Sequence, residues 1–306
     1  MSDGVNAPRA DGDVVTFWHD LGLPGLIDVH VHFMPPRLTE AVWRYFDGAG
    51  PLTGREWPIR YRWPEQQRLH HLRTMGVRAF PALLYAHKPH MAESLNAWAA
   101  AFAHEHADVV PTLTFFPEAS VSAYVDKALR DGAQIAKAHV QVGGYDPRDE
   151  RLDDVWAMLS DARVPVVAHV GSGPAPGAFT GPEPFGEVLA RHPQLTVVVA
   201  HMGMPEYDSF LDMAERYDNV HVDTTMCFTD SFGEQSALGR ELAPRLLALR
   251  EKVLLGADFP NIPHPYAHQL EVLVRLGLGD DWLRDVVWRN PLRLLRRAGF
   301  EPATAG

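Results

Sequence analysis

The feature that most constrains the fold of this chain is a short apolar, β-branched run that recurs about every 30 residues, followed each time by a segment of helical spacing. Runs such as 165–167 and 197–199 lack polar alternation, as parallel strands buried on both faces do. Eight runs are predicted to be strands: 25–33, 77–84, 109–115, 134–141, 165–170, 195–201, 220–225 and 252–258. Eight alternating strand and helix pairs predict an α/β fold, a closed (β/α)8 TIM barrel, with an open doubly wound sheet as the alternative.

The alternative sheet lacks the glycine motifs that would support it. No G-x-G-x-x-G follows the first predicted strand and no G-x-x-x-x-G-K-[ST] occurs, so neither dinucleotide nor P-loop phosphate binding is supported. We predict a single barrel domain over 21–306, after a polar tail at 1–20 and ending in a helix at 282–298. The other predicted helices are 65–75, 91–106, 121–131, 152–161, 185–191, 206–217, 237–250 and 266–276. The long connections at 34–64 and 171–184 follow predicted strands and are expected to act as lids over an active site.

Composition and charge narrow the classes of partner. With 46% hydrophobic and 22% charged residues, the chain is typical of globular proteins. Its formal net charge of -11 disfavours nucleic acid and anionic membrane surfaces as partners. The single cysteine, Cys227, excludes an intramolecular disulfide, and neither a signal peptide nor a membrane-spanning apolar run is visible. We therefore predict a cytoplasmic protein that acts on a small molecule, and the sequence leaves a homodimer open.

Polar side chains fall at the ends of four predicted strands. Because these strands are expected to be buried, a polar side chain there loses its hydrogen bonds to water unless it has a partner. The first strand ends with His30 and His32, which share one face because they are two residues apart. The fifth, sixth and eighth strands end on His169, His201 and Asp258. The carboxyl ends of barrel strands surround one point, so the five side chains are expected to converge there. Imidazoles with a carboxylate suit Zn²⁺, with Mn²⁺ or Fe²⁺ as alternatives, and a divalent metal site is therefore predicted.

Four motifs also carry a resemblance to a known family. The series IDVHVHF, AHVGSG, AHMGMPEY and LLGADFP resembles the amidohydrolase superfamily, in particular amidohydrolase family 2, over most of the chain. That branch includes aminocarboxymuconate semialdehyde decarboxylase and hydroxybenzoate-type decarboxylases as well as true hydrolases. Carried over motif by motif, the resemblance implies that His30, His32, His169 and Asp258 hold one divalent metal. It also implies that His201 lies beside the metal as a catalytic group or as a fifth contact.

Two residues on the fourth predicted strand depart from the wider superfamily. Many members carry a carboxylated lysine at the end of this strand that bridges two metals, and Lys137 lies near that point. We expect a single metal, and we expect Lys137 and His139 to bind substrate or to stabilise the site, since they share a face.

On the seventh strand, His221 and Asp223 are interpreted as a buried polar contact rather than as catalytic residues.

The connection at 34–64 is rich in arginine and tryptophan. Guanidinium groups bind carboxylates and indoles pack on flat rings, so Arg60, Arg62 and Trp63 are candidates for binding an aromatic or unsaturated acid. His264, in the loop after the last strand, is a further candidate for substrate binding. The alternative is that the arginines are solvated, because only 4 of the 28 basic residues are lysines and arginine is the usual cation of this chain.

The predicted apparatus permits two reactions. A divalent metal lowers the pKa of bound water from 15.7 to about 7. In a hydrolase, Asp258 would accept the water proton and pass it to the leaving group while His201 and the metal stabilise the oxyanion. In a decarboxylase, Asp258 or His201 would protonate carbon as CO₂ leaves. We predict a metal-dependent hydrolase of an ester, lactone or amide, with a carboxy-lyase as the alternative and a noncatalytic metal-binding barrel as the third.

Overall fold

The structure, a computed structural model, describes residues 4–231 and 236–302, apart from the side chains of residues 52, 53 and 236. Nine short strands lie in this part of the chain: β1 Leu26–Ile27, β2 Val77–Pro81, β3 Val109–Val110, β4 Thr112–Thr114, β5 Ile135–His139, β6 Val166–His169, β7 Val197–Val199, β8 Val220–Asp223 and β9 Val253–Leu254. Every described strand pair is parallel, as βαβ units require.

The nine strands form a closed ring of eight. β1, β2 and β3 pair in that order, and β4 to β9 also pair in order. β3 and β4 are separated only by Pro111, which has no N–H for the ladder, so they form one barrel strand where the sequence predicted an unbroken run. Just beyond the ends of β1 and β9, the N–H of Val29 donates to the carbonyl of Leu255 over 2.9 Å, and the N–H of Asp258 donates to the carbonyl of His30 over 2.8 Å. These bonds close the ring between β9 and β1. The predicted (β/α)8 TIM barrel is confirmed.

Helices surround the ring. They are α1 Val14–Asp20, α2 Pro36–Asp47, α3 Gly50–Thr53, α4 Glu65–Thr74, α5 Ala92–Glu105, α6 Val121–Arg130, α7 Val140–Gly143, α8 Asp153–Asp161, α9 Pro182–Arg191, α10 Tyr207–Arg216, α11 Ser236–Ala248, α12 Tyr266–Arg275, α13 Asp280–Arg284 and α14 Asn290–Arg297. A π-helical turn at Asp285–Arg289 joins α13 to α14, and together they form the predicted C-terminal helix. Among the described residues, no helix is long and apolar enough to cross a bilayer.

The connection at 34–64, predicted as a loop, contains α2 and α3. Proline suits the first position of a helix, and α2 begins at Pro36. Its apolar side chains recur at helical spacing and pack against the core: Leu38, Val42, Trp43 and Phe46. The helical pattern is present in the sequence, but the many prolines and arginines around it obscure it.

The segment predicted to be a polar tail at 1–20 is packed against the barrel from residue 4 onward. α1 buries Val14 and Phe17, which share one helix face because they are three residues apart. The described part of the segment thus contains a helix that packs on the core. Residues 1–3 of the predicted tail, and 232–235 and 303–306 of the predicted domain, lie outside the described residues.

The buried apolar residues form two clusters. The larger part lies between the strands and the surrounding helices. The smaller part joins strand residues such as Val167 and Val198 to Leu294 and Leu295 of α14 and to Phe300. These C-terminal residues pack against the strands and leave the carboxyl ends of the strands to carry the polar side chains of the candidate site.

Candidate metal centre

The ends of β1 and β9 bring three predicted ligands together. His30 Nε2 lies 3.7 Å from Asp258 Oδ1, and His32 Nε2 lies 2.9 Å from the same oxygen. One nitrogen of each histidine and one oxygen of Asp258 all lie within 4.8 Å of one another. The two imidazoles are 1% and 6% exposed, whereas the Asp258 side chain is 16% exposed. Two buried nitrogens and a solvent-accessible carboxylate are a donor set that suits a catalytic divalent metal.

Hydrogen bonds fix which nitrogen of each histidine faces Asp258. The Nδ1–H of His30 donates to Asp223 Oδ2 over 2.8 Å, and the Nδ1–H of His32 donates to the carbonyl of Leu83 over 2.8 Å. Both Nε2 atoms are therefore left with lone pairs that point toward a carboxylate oxygen, another acceptor. Three converging lone pairs need a cation between them, and this is the observation that fits a metal to the residues present.

The backbone at this point is tightly constrained. A Cβ atom at Gly256 would lie 2.2 Å from Thr225 Oγ1 and 2.9 Å from His30 Cβ. Only glycine therefore allows the segment after β9 to lie this close to Thr225 and His30. Asp258 has a φ of 66°, a left-handed conformation that non-glycine residues rarely adopt. His201 is held in the same region with a φ of 56°. Such conformations cluster at functional sites because the surrounding fold must hold them in place.

His201 lies beside the cluster, as predicted for a catalytic group. Its ring centroid is 5.1 Å from that of His30 and 4.8 Å from that of His169. Its backbone N–H donates to Asp223 Oδ1 over 2.8 Å, and its Nδ1 lies 3.2 Å from the carbonyl of Thr225. Asp223 therefore positions the His30 ring and the His201 backbone with its two oxygens.

His169 and His139 form a stacked pair next to His201. Their rings are 4.1 Å apart and nearly parallel, with an interplanar angle of 13°. His169 Nε2 lies 2.9 Å from the carbonyl of Gly173, and the N–H of Val142 donates to His139 Nδ1 over 3.3 Å. The nitrogen of His169 that is left to bind a metal is therefore Nδ1, and this residue is not part of the three-ligand cluster. Its predicted role as a fourth ligand stays a prediction.

Lys137 is fully buried and points into the centre. Its Nζ lies 3.2 Å from His30 Nε2, which is also the nitrogen that faces Asp258. Burial lowers the pKa of Lys137 to about 8, although the carboxylates of Asp223 and Asp258 oppose this. The structure thus brings Lys137 into the site.

The electrostatics of the centre favour neutral imidazoles and an ionised carboxylate. Burial lowers the pKa of His30, of His169 and of His201 below the ordinary value for histidine. Burial by itself would raise the pKa of Asp258, but the close approach of His32 and of the surrounding imidazoles holds it well below its usual range. A negative oxygen among neutral nitrogens is the arrangement that a metal ion requires of its ligands.

The other predicted substrate-binding residues are not brought into this cluster. The guanidinium of Arg62 donates to Asp47 and to the carbonyl of Trp43, and the Arg60 side chain is exposed. Trp63 packs edge-on against Tyr61 and His71. His264 contacts the carbonyl of Pro265 through Nδ1, while its buried Nε2 has no partner among the described residues. Their predicted roles in binding substrate stay untested.

The sequence analysis missed the role of Asp223. Asp223 was paired with His221, but it binds His30 instead, and both ring nitrogens of His221 are without partners among the described residues. A signal was present, because Asp223 is the last residue of β8 and thus marks a fifth polar strand end, beside those that carry His30 and His32, His169, His201 and Asp258. The position of Asp223 at a strand end was a better guide to its partner than its short separation in sequence from His221.

Comparison with known proteins identifies the family. A family model described as amidohydrolase matches residues 27–297. The chain belongs to the amidohydrolase family. This amidohydrolase therefore belongs to a family of metal-dependent enzymes. No curated protein sequence matches it.

Solved structures resemble this amidohydrolase along almost their whole length. An uncharacterised TIM-barrel protein from Bordetella bronchiseptica is 21% identical, with a TM-score of 0.71, over 90% of this chain and 99% of its own. A putative 2-pyrone-4,6-dicarboxylic acid hydrolase from Pseudomonas putida is 17% identical, with a TM-score of 0.60, over 92% and 99%. The 5-carboxyvanillate decarboxylase of Sphingomonas paucimobilis is 15% identical, with a TM-score of 0.60, over 89% and 99%. At these identities the similarity establishes the fold and not the reaction.

Proposed function

We propose that this amidohydrolase is a metal-dependent hydrolase that cleaves a small ester, lactone or amide at the cluster of His30, His32 and Asp258. The observation that carries the proposal is the convergence of two imidazole lone pairs and a carboxylate oxygen within 4.8 Å of one another. The net charge of -11 supports a small-molecule substrate rather than nucleic acid or a membrane surface.

One divalent cation, with Zn²⁺ as the first choice and Mn²⁺ or Fe²⁺ as alternatives, would be held by His30 Nε2, His32 Nε2 and Asp258. His169 would join them through Nδ1, since its Nε2 faces the carbonyl of Gly173. When bound, such an ion lowers the pKa of a coordinated water from 15.7 to about 7 and polarises a carbonyl oxygen.

Asp258 is the residue placed to move the proton of the attacking water. Its carboxylate is ionised and is the most exposed member of the cluster, so it can accept a proton from solvent-side water and return it to the leaving group. The N–H of Asp258 is bound to the carbonyl of His30, and its own carbonyl accepts from the N–H of Asn261 over 2.8 Å. These bonds on both sides hold the carboxylate in the conformation in which it meets His32.

His201 acts as a second proton carrier. Because its Nδ1–H donates to the carbonyl of Thr225, the Nε2 of the neutral ring has a lone pair and no proton. Neutral His201 is therefore a proton acceptor, and it can stabilise an oxyanion only after it has been protonated. The oxyanion-stabilising role predicted from the sequence would therefore follow a proton transfer to His201.

The experiment that tests the proposal compares two substrate panels on protein loaded with Zn²⁺ and on metal-free protein. One panel contains lactones, esters and amides, and the other contains benzoate-type acids with CO₂ detection. Hydrolysis that needs the metal and is lost in Asp258→Asn supports the proposal. Release of CO₂ without hydrolysis would assign a carboxy-lyase instead, and metal binding without any turnover would favour a noncatalytic barrel.

A further inference from the structure

Six side-chain rings form a closed circle at the carboxyl end of the barrel. In order around the circle they belong to His30, His32, Tyr85, His139, His169 and His201. Consecutive ring centroids lie 5.1, 6.0, 4.6, 4.1, 4.8 and 5.1 Å apart, and the last distance returns from His201 to His30. Tyr85 and His139 therefore complete the wall of the candidate metal centre between His32 and His169.

Four of the six rings have a nitrogen lone pair to offer. The Nδ1–H groups of His30, His32 and His201 each donate to an oxygen, so the lone pair of each neutral ring is on Nε2. In His169 the lone pair is on Nδ1, because Nε2 faces the carbonyl of Gly173. These atoms can bind a cation, but they cannot donate a hydrogen bond to an oxygen of a substrate.

The other two rings carry a proton. The N–H of Val142 donates to His139 Nδ1 over 3.3 Å, so the neutral ring has its own proton on Nε2. The phenol of Tyr85 is protonated at neutral pH, because burial and the carboxylate of Asp258 raise its pKa above the ordinary value of about 10. Tyr85 and His139 are thus the two neutral donors of the circle.

Both donors are available to a ligand. No described residue accepts a hydrogen bond from the Tyr85 hydroxyl or from His139 Nε2. Neither atom belongs to the buried polar atoms that lack a partner, so both reach solvent. Since the two rings are 4.6 Å apart, their donors belong to adjacent groups, as binding of a single oxygen requires.

A hydrolase needs such donors at this point. Attack on a carbonyl carbon places negative charge on the carbonyl oxygen, and groups that already carry a proton stabilise this charge without prior proton transfer. His201 must first be protonated to do so. Lys137, which also carries protons, is fully buried with its Nζ against His30 Nε2. Tyr85 and His139 meet the requirement as they stand.

We propose that the Tyr85 hydroxyl and the Nε2–H of His139 form an oxyanion-binding pair that donates to the carbonyl oxygen of the substrate. The proposal rests on the proposed function, because it adds donors for an oxyanion to the acceptors of His30, His32 and Asp258. It gives a role to Tyr85, which the sequence analysis did not single out, and it assigns the substrate contact of His139 to one atom.

The test measures binding of phenylphosphonate, a tetrahedral oxyanion, to Zn²⁺-loaded protein by calorimetry. Tyr85→Phe keeps the ring and removes only the hydroxyl, and we expect it to weaken phenylphosphonate binding by about tenfold. His139→Phe keeps a ring to stack on His169 and should weaken binding to a similar degree. Tyr217→Phe is the matched control, because Tyr217 is also partly exposed but lies between α10 and β8, at the amino end of the strand.

Imidazole is the second ligand, and it separates the donors from the metal. It binds a metal ion through a lone pair and needs no donor from the protein, so its affinity should be the same in wild type and in Tyr85→Phe. Equal weakening of imidazole and phenylphosphonate binding would show that Tyr85 only positions His32, and would overturn the proposal. Elemental analysis of each preparation confirms equal metal loading.

Two further results would contradict the pair. Wild-type affinity for phenylphosphonate in either Tyr85→Phe or His139→Phe would remove that residue from it. Absence of phenylphosphonate binding in the wild-type protein would show that the centre does not accept an oxyanion. The proposed function is tested separately by turnover, because these titrations record binding alone.

Discussion

His30 Nδ1 lies 2.8 Å from Oδ2 of Asp223, a carboxylate with no exposed surface that is 193 residues further along the chain. This contact sets the tautomer of His30, because an ionised carboxylate can only accept a hydrogen bond. The lone pair is therefore on Nε2, the atom that faces Asp258. The partner behind a metal-binding histidine commonly decides both ring orientation and basicity, and here one aspartate also holds the backbone of His201.

Replacement of Asp223 by asparagine should weaken metal binding by about 10 to 100-fold. The amide would place an N–H₂ group opposite His30 Nδ1 and would favour the tautomer that carries its proton on Nε2. A competition titration with a chromophoric chelator measures the affinity. Asp28→Asn is the matched control, because Asp28 is equally buried and accepts from the backbone N–H of His30 and the hydroxyl of Tyr266, but it is hydrogen-bonded to no imidazole ring among the described residues. Equal affinities in the two variants would show that the tautomer is not controlled by Asp223.

Asp258→Asn should separate metal binding from turnover. The amide keeps the shape and one oxygen, so we expect a substantial fraction of the metal to remain. It removes the base, and turnover should fall by roughly 10²-fold or more. Metal content by elemental analysis and kcat are measured on the same preparation. A fully metallated variant with near-normal kcat would leave proton transfer to His201.

One metal ion per chain is expected in protein purified without chelator, and His30→Ala or His32→Ala should each lose metal and activity together. The physical reason is that each imidazole supplies one of the three converging lone pairs. Elemental analysis gives the stoichiometry. Two ions per chain, with a carboxylated Lys137 seen by mass spectrometry, would contradict a single-metal site.

Gly256→Ala should disturb the centre from the backbone. The new Cβ would lie 2.2 Å from Thr225 Oγ1 and 2.9 Å from His30 Cβ, so the segment after β9 must move away from Thr225 and His30. We expect a loss of about 1–3 kcal/mol in the free energy of unfolding together with weaker metal binding. Gly12→Ala is the control, since a Cβ at Gly12 meets nothing within 4 Å. Metal affinity equal to that of wild type would show that the strands can adjust without moving His30.

Asp11 should make stability depend on pH in the acid range. Burial would raise its pKa, but hydrogen bonds from His71, from the Tyr61 hydroxyl and from the N–H of Ala267 hold it below the ordinary value. A lowered pKa stabilises the fold above the unfolded pKa of about 3.9, and this contribution is lost as the pH falls through the folded pKa. Asp11→Asn should therefore cost about 1–3 kcal/mol at pH 7 and progressively less below about pH 4.

Denaturant unfolding at several pH values measures this difference. Asp47→Asn serves as its control, because Asp47 is 55% exposed, pairs with Arg62 at the surface, and exposed pairs contribute little. A constant difference between wild type and Asp11→Asn from pH 7 to pH 3 would show that the Asp11 carboxylate is not linked to folding.

The architecture and the three candidate ligands of the cluster could be predicted from the sequence. Apolar runs alternating with helical spacing are local patterns, and a barrel is the closed form of that alternation, so the ring could be predicted without any contact being known. His30, His32 and Asp258 could be predicted for the same reason, since the ends of parallel strands meet at one edge wherever the strands lie in sequence. The split at Pro111 was also readable in principle, because proline cannot donate to the ladder.

The tertiary structure alone decided how the polar groups pair. Whether Asp223 binds His221 or His30 depends on the ring closing between β9 and β1, which brings together residues 193 positions apart. Whether an arginine forms an ion pair depends on which acid folds beside it, as Arg62 meets Asp47. Strand and helix periods report which face a side chain occupies, but the energy of a buried charge depends on its partners, and those partners exist only after the chain has folded.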